Sequence, residues 1–150
     1  FTMGYSARRG FTNGKISGAA RQAELQQKIA AMQEKMTEAQ DAVEAQEFTA
    51  LAAEFAQAGV ALLGVSKDSV ASHAKFTAKY DLAVPLASDP EWTMIEAYGA
   101  RVEKNMYGRK YMGIDRSTFL IGADGKLARI WRKVRVPGHA AEVLRAAQSL

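Results

Sequence analysis

The period of the apolar side chains changes along this chain, and each change marks an element. From about Ala19, Leu25, Ile29, Met32, Met36, Ala39 and Val43 recur at a 4-3-4-3-4 spacing, the period that lines one face of a helix. Ala, Gln, Glu, Lys and Met dominate the same stretch and are strong helix formers. Glu24 stands four residues before Lys28, a favourable order for a pair on one helix face. The spacing predicts a long amphipathic helix over residues 19–46. Its heptad repeat is shorter than the three to four heptads that support a coiled coil. Packing against its own domain and packing against a dimer partner are therefore both open. The apolar phase slips between Val43 and Phe48, and a second helical face of Phe48, Leu51, Ala52 and Phe55 follows, stopping at Gly59.

Beyond Gly59 strand and helix patterns alternate. Val60 to Val65 is a continuous apolar run of the kind that forms a buried parallel strand. Ser66 to Ser69 then caps a helix running to about Tyr80. Val84 to Ala87 reads as a short strand, and Asp89 followed by Pro90 as the cap and first residue of a helix carrying Trp92, Met94, Ile95 and Tyr98. Residues 100–115 form a loop rich in Gly, Tyr and Lys with room for a small hairpin. Ser117 to Gly122 and Leu127 to Val134 are two strands joined through Ala123-Asp124-Gly125-Lys126, a strong hairpin signal. Pro137-Gly138 introduces a last helix, with Ala141, Val143, Leu144 and Ala147 available for packing.

Composition narrows the chemistry. With 150 residues, 48% hydrophobic and 24% charged, the chain is large enough for one core. It has no apolar run long enough to span a membrane, and a cytoplasmic location without membrane contact is expected. The sequence contains no cysteine, which removes thiolate nucleophiles, disulfides and metal-thiolate sites together. His73 and His139 lack a ligand-like spacing and are expected to be surface or helix-end groups. No metal and no cofactor are expected. The net charge of +4 is carried largely by the first 40 residues. Arg8, Arg9, Lys15 and Arg21 precede the first acidic residue, Glu24. Arg8-Arg9-Gly10-Phe11 has the look of a twin-arginine signal, but polar Thr12-Asn13-Gly14-Lys15 follows instead of the required apolar stretch. A few cations attract phosphate only weakly, and no nucleic-acid-binding motif accompanies them. Nucleic acid is therefore not an expected partner. Tyr107, Tyr111 and Trp131 are expected to pack rather than to line a ligand pocket.

Three blocks carry a family resemblance. Gly64-Val-Ser-Lys-Asp-Ser-Val-Ala-Ser-His-Ala-Lys-Phe76, Met106-Tyr-Gly-Arg-Lys-Tyr-Met-Gly-Ile-Asp-Arg-Ser-Thr-Phe-Leu-Ile-Gly-Ala-Asp-Gly-Lys126 and Trp131-Arg-Lys-Val-Arg-Val-Pro-Gly-His139 closely resemble peroxiredoxins of the bacterioferritin comigratory type, the thioredoxin-dependent thiol peroxidases. The resemblance implies an α/β, thioredoxin-like fold of peroxiredoxin type. It also implies a mechanism in which a cysteine thiolate attacks the peroxide O–O bond, a Thr and a backbone turn position the oxidant, and an Arg stabilises the thiolate. Within Ile114-Asp-Arg-Ser-Thr-Phe119, Arg116 matches the family's active-site arginine. Its bland alternative is a structural ion-pairing role. Thioredoxin is implied as a partner by this resemblance alone.

The chain departs from the family at two places. Glu44, Ala45 and Phe48 fit the downstream part of the family's Thr-Pro-Gly-Cys-Thr-x-Glu-Ala-x-x-Phe motif, but the cysteine position falls on Asp41, and Glu38, Ala39 and Gln40 stand where Thr, Pro and Gly belong. A carboxylate cannot supply the thiolate's chemistry, so peroxidase activity is expected to be absent. Asp41 is instead expected to ion-pair with Arg116. The second departure is the central strand that family members place between the counterparts of Val60–Val65 and Ser117–Gly122; residues 1–40 show no apolar β pattern to supply it. Either those strands close as neighbours, or a partner supplies a strand, or the chain is a spliced or truncated product. Self-association into a homodimer would then relieve unpaired backbone.

The expected organisation is a basic lead-in over residues 1–18, a helical arm over 19–46, and an N-terminally incomplete α/β domain over 47–150. The leading functional expectation is a silent, cysteine-less relative of thiol peroxidases. The competing one is an interaction module whose arm drives dimerisation or weak nucleic-acid contact. It draws on a fainter similarity of Gln26 to Ala50 to the first helix of small nucleoid-associated proteins.

Overall fold

A computed structural model describes residues 18–106 and 108–150. The chain divides into two compact units, one ending at Ala39 and the other running from Gln40 to Leu150. The first described element is α1 (Gly18–Ala50), continuous through the position where the apolar phase slips. A short α2 (Ala52–Gln57) follows and stops at Gly59, whose φ of +75° suits a residue without Cβ.

The second unit's core is small and is built where the sequence repeats its apolar positions. Phe55 of α2 is fully buried among Leu120, Val143, Leu144 and Ala147. Phe48, Leu51, Val60, Leu62 and Trp131 close around them. Val143, Leu144 and Ala147, together with Ala140, lie at the i, i+3, i+4, i+7 positions of α5 (His139–Gln148), which buries that one face. The expected Ala141 is only half-buried. Gly138, with φ of +76°, turns the chain into this helix.

Three two-stranded sheets replace a single continuous one among the described residues. β1 (Gly64–Ser66) runs parallel to β2 (Leu86–Ser88), with Gly64 opposite Leu86 and Ser66 opposite Ser88. The strand expected over Val60–Val65 is thus shorter and less buried than its apolar run suggested. Val60 and Leu62 turn into the core, whereas Leu63 is 60% exposed. The paired length of β1 is the three positions that β2 accompanies. The two strands expected to flank a missing central strand do not pair with each other: β1 pairs with β2, and β5 (Thr118–Ile121) pairs antiparallel with β6 (Leu127–Trp131). The β5–β6 hairpin turns where expected. Gly125 has φ of +79°, the Asp124 carboxylate accepts from Lys126 N–H at 3.0 Å, and Gly122 N–H donates to the Lys126 carbonyl at 2.9 Å.

Between these pairs lie α3 (Val70–Tyr80), α4 (Thr93–Ala97) and the hairpin β3 (Arg101–Met106)–β4 (Arg109–Ile114). Ser69 caps α3 by accepting from Ser72 N–H at 3.1 Å, as its position predicts. Asp89 is not the N-cap and Pro90 is not the first helical residue: Trp92 stands at the cap of α4, without a side-chain cap bond. Asp89 to Trp92 form a turn, and the Asp89 carboxylate accepts from Thr93 and Ile95 N–H at 3.1 and 2.8 Å. Residues expected to form mostly loop are instead a regular antiparallel ribbon, with Arg101 opposite Ile114 and Met106 opposite Arg109. Tyr107 and the cations of the lead-in, Arg8, Arg9 and Lys15, lie outside the described residues.

The two histidines expected as surface or helix-end groups are both buried, and His139 is indeed at a helix end, opening α5. His73 bridges the cross-strand pair Ser66 and Ser88, its Nε2 lying 2.6 Å from one hydroxyl and its Nδ1 3.1 Å from the other. His139 sits with Nε2 2.7 Å from the Thr118 hydroxyl, edge-on to Phe48 and Trp131. Each imidazole buries because a hydroxyl satisfies its ring nitrogen. Among the described residues no helix is long and apolar enough to cross a membrane.

Because Phe55 is the residue around which both helices and the β5–β6 hairpin pack, Phe55→Ala should destabilise the second unit by about 3–5 kcal/mol. A lowered urea midpoint followed by far-UV circular dichroism would read this out.

Candidate functional site

Arg116 lies between β4 and β5, in a segment fixed by its backbone. Asp115 N–H donates to the Ala100 carbonyl at 2.7 Å, and Val134 N–H donates to the Arg116 carbonyl at 2.9 Å. The Asp115 carboxylate accepts from the Ser117 hydroxyl at 3.0 Å and from Lys133 N–H at 3.4 Å. These bonds tie the segment on both sides of Arg116 and aim its side chain at α1.

Two carboxylates of α1 meet it. Asp41 and Glu44 are three residues apart and so share a helix face. Arg116 Nη2 lies 2.6 Å from Asp41 Oδ1, and Nη1 donates to Glu44 Oε2. The planar fork of the guanidinium suits this double engagement, each terminal nitrogen taking its own acid. Arg116 and Glu44 are buried to similar extents, at 20% and 19% side-chain exposure, while Asp41 is the outer partner at 50%.

Burial raises the pKa of Asp41 above its ordinary value, and the Arg116 charge pulls it back without cancelling the rise. A lone ion pair of this length would lower a carboxylate's pKa. Here the desolvation of Asp41 outweighs that pull. Asp68 pushes the same carboxyl further up and Lys104 pulls it down, both more weakly. For Arg116, desolvation opposes the charge, but its bond to Glu44 and the charge of Asp41 together hold its pKa above the ordinary arginine value. The cluster is therefore a cation enclosed by acids.

The two residues singled out from sequence, Asp41 and Arg116, are brought into direct contact, and the ion pair expected between them is present. Glu44 was read only as a motif residue. Its place three positions after Asp41 was the signal that it shares the arginine. Tyr111 stays exposed on β4 and Trp131 packs at the margin of the core, its indole N–H donating to Glu142 at 3.1 Å. Among the described residues no group of three or more His, Asp or Glu converges as a metal site. A separate groove of about 490 Å³ lies between α4 and the β5–β6 hairpin, lined by Tyr98, Phe119, Ile121, Leu127, Ile130 and Arg132 among others; none of the clustered charges lines it.

Comparison with known proteins gives the class of this α/β fold. The AhpC/TSA family model matches residues 26–130, and the chain belongs to that family. It is 50% identical over 100 residues to Peroxiredoxin Bcp of Xanthomonas campestris pv. campestris, covering 67% of this chain and 62% of that protein. Against Peroxiredoxin Bcp of Bacillus subtilis it is 42% identical over 96 residues, covering 64% and 61%. Among solved structures, the Xanthomonas campestris Bacterioferritin Comigratory Protein, studied for alkyl peroxide reduction, superposes with a TM-score of 0.70 at 46% identity, covering 73% of this chain and 70% of that one. A Xylella fastidiosa PrxQ in which a cysteine is replaced by serine superposes equally well at 43% identity, covering 73% and 68%. The fold is thus thioredoxin-like and of peroxiredoxin type. The chain spans about three fifths of the length of the curated relatives it matches.

Burial lowers the pKa of His139, against the opposing pull of Glu44, Glu142 and Glu47. A histidine whose folded pKa is depressed stabilises the fold fully above its unfolded value of 6.5, and that stability falls as pH drops below it. Urea midpoints should therefore decline between about pH 7 and pH 5, and His139→Gln should flatten that decline.

Proposed function

We propose that this chain is a peroxiredoxin relative without peroxidase chemistry, in which the Asp41 carboxylate takes the place of the family's attacking thiolate. The observation that carries the reading is the pairing of Asp41 with Arg116 in a sequence with no cysteine. A peroxidatic thiolate forms an S–O bond as the O–O bond breaks, becomes a sulfenic acid and is returned to thiol by exchange with a reductant. A carboxylate oxygen has no equivalent two-electron cycle, and thioredoxin finds no disulfide to reduce. The arginine is also committed, because both of its terminal nitrogens face acids. It is a structural cation here, and a peroxide finds no nucleophile beside it.

The test is peroxide consumption by the purified, metal-free chain with thioredoxin, its reductase and NADPH, using hydrogen peroxide and an organic hydroperoxide in turn. No turnover above buffer is expected with either, and sustained turnover well above it would overturn the proposal. Asp41→Cys separates nucleophile from pocket. It places a thiol beside Arg116, but Glu38, Ala39 and Gln40 still stand where the family's Thr-Pro-Gly turn belongs. The variant should react with a small alkylating reagent and yet leave peroxide turnover at the level of the unmodified chain.

A further inference from the structure

The first unit carries an apolar stripe that faces water. Leu25, Met32 and Met36 of α1 are 53%, 63% and 60% exposed, and they fall with Ile29 and Ala39 on one helix face. Large apolar side chains aligned in this way mark a contact surface more often than a solvated one. The flanks of the stripe say what covers it. In heptad terms Gln22, Ile29 and Met36 occupy one core position and Leu25, Met32 and Ala39 the other. One flank then holds Arg21, Lys28 and Lys35, and the other holds Gln26 and Gln33.

We infer that the stripe binds the same stripe of a second copy of this chain, the two helices running parallel and in register. An antiparallel pair would set each basic flank against its own kind, with Arg21, Lys28 and Lys35 meeting the same three cations of the partner. Like charges so placed repel. A parallel pair sets the basic flank of one helix against the glutamine flank of the other, so that Arg21 meets Gln26 and Lys28 meets Gln33. Each cation then faces an amide oxygen that can accept from it. The polar Gln22 works in the same direction. A lone amide within an apolar seam is satisfied by its own counterpart, which fixes register and strand number at some cost in stability. Lys28 also pairs with Glu24 of its own helix at 3.6 Å, an exposed contact that binds it only weakly. The remaining positions, Ala23, Glu24, Gln27, Ala30, Ala31, Glu34, Thr37 and Glu38, are small or polar, so the helix offers a single seam.

Light scattering on the full chain should show mass moving from monomer toward dimer as concentration rises, and Met32→Lys should abolish the shift. The double substitution Gln26→Glu/Gln33→Glu distinguishes orientation. In a parallel pair it creates ion pairs with Arg21 and Lys28 of the partner and should tighten the dimer about tenfold. In an antiparallel pair it sets glutamates against glutamates and loosens it. Since the chain has no other thiol, Met32→Cys should cross-link the pair under mild oxidation, whereas Gln27→Cys, on the outer face, should not. A monomer at every concentration, a dimer that survives Met32→Lys, loosening by the glutamates, or equal cross-linking by both cysteines would each overturn the inference.

Discussion

The guanidinium of Arg116 joins parts of the chain that are 72 residues apart, linking the helix that carries Asp41 and Glu44 to the connection between β4 and β5. A cation withdrawn from water to this extent needs carboxylates around it, and carboxylates drawn together on one helix face need a cation between them. The cluster holds two carboxylates to one cation, so removing Arg116 leaves two acids facing each other, whereas removing the outer Asp41 still leaves the Arg116–Glu44 pair balanced. On the proposed function, the Asp41 carboxylate stands where the family resemblance implies a sulfur anion, and the electrostatic arrangement of the site is kept without its redox chemistry.

Outside the β3–β4 ribbon, strand pairing in the second unit is short. β1 and β2 share only three paired positions, and β5 and β6 four with an irregularity at Leu120/Ile121. Polar side chains reinforce what the ladders lack. His73 spans Ser66 and Ser88 across the parallel pair, and His139 ties α5 to β5 through Thr118. Arg132 holds the end of α4 by donating to the Tyr98 and Gly99 carbonyls, both at 3.0 Å. Each such contact satisfies groups that a wider sheet would have paired within itself. The hydrophobic contribution is concentrated where Phe55 meets α5 and β5, one modest cluster rather than a layer spread across a continuous sheet.

The sequence was most informative where a local rule decides structure. The Ser69 cap, the glycine turns at Gly59 and Gly125 and the apolar face of α5 were all legible, because each depends on residues within one turn or one helix. Strand lengths were not. The run Val60 to Val65 has strand character throughout, yet pairing needs a neighbour, and β1 extends only as far as β2 accompanies it. The burial of the two histidines was not legible for a related reason. Their burial depends on Ser66, Ser88 and Thr118, which become their partners only after folding. At the charged site, Asp41 and Arg116 were found through the family pattern, whereas the equal part taken by Glu44 follows from helix geometry and became plain only when the arginine was seen to use both arms.

Whether its acids hold Arg116 decides the structural role of the whole cluster. A double-mutant cycle on Arg116 and Glu44, using Arg116→Met and Glu44→Gln with urea unfolding at neutral pH, measures that interaction directly. We expect a coupling energy of about 1–3 kcal/mol, the range for contacting residues that share a partly buried charge network. A coupling indistinguishable from zero would mean that the arginine and the carboxylate are neighbours without consequence, and the structural role assigned to this cluster would be wrong.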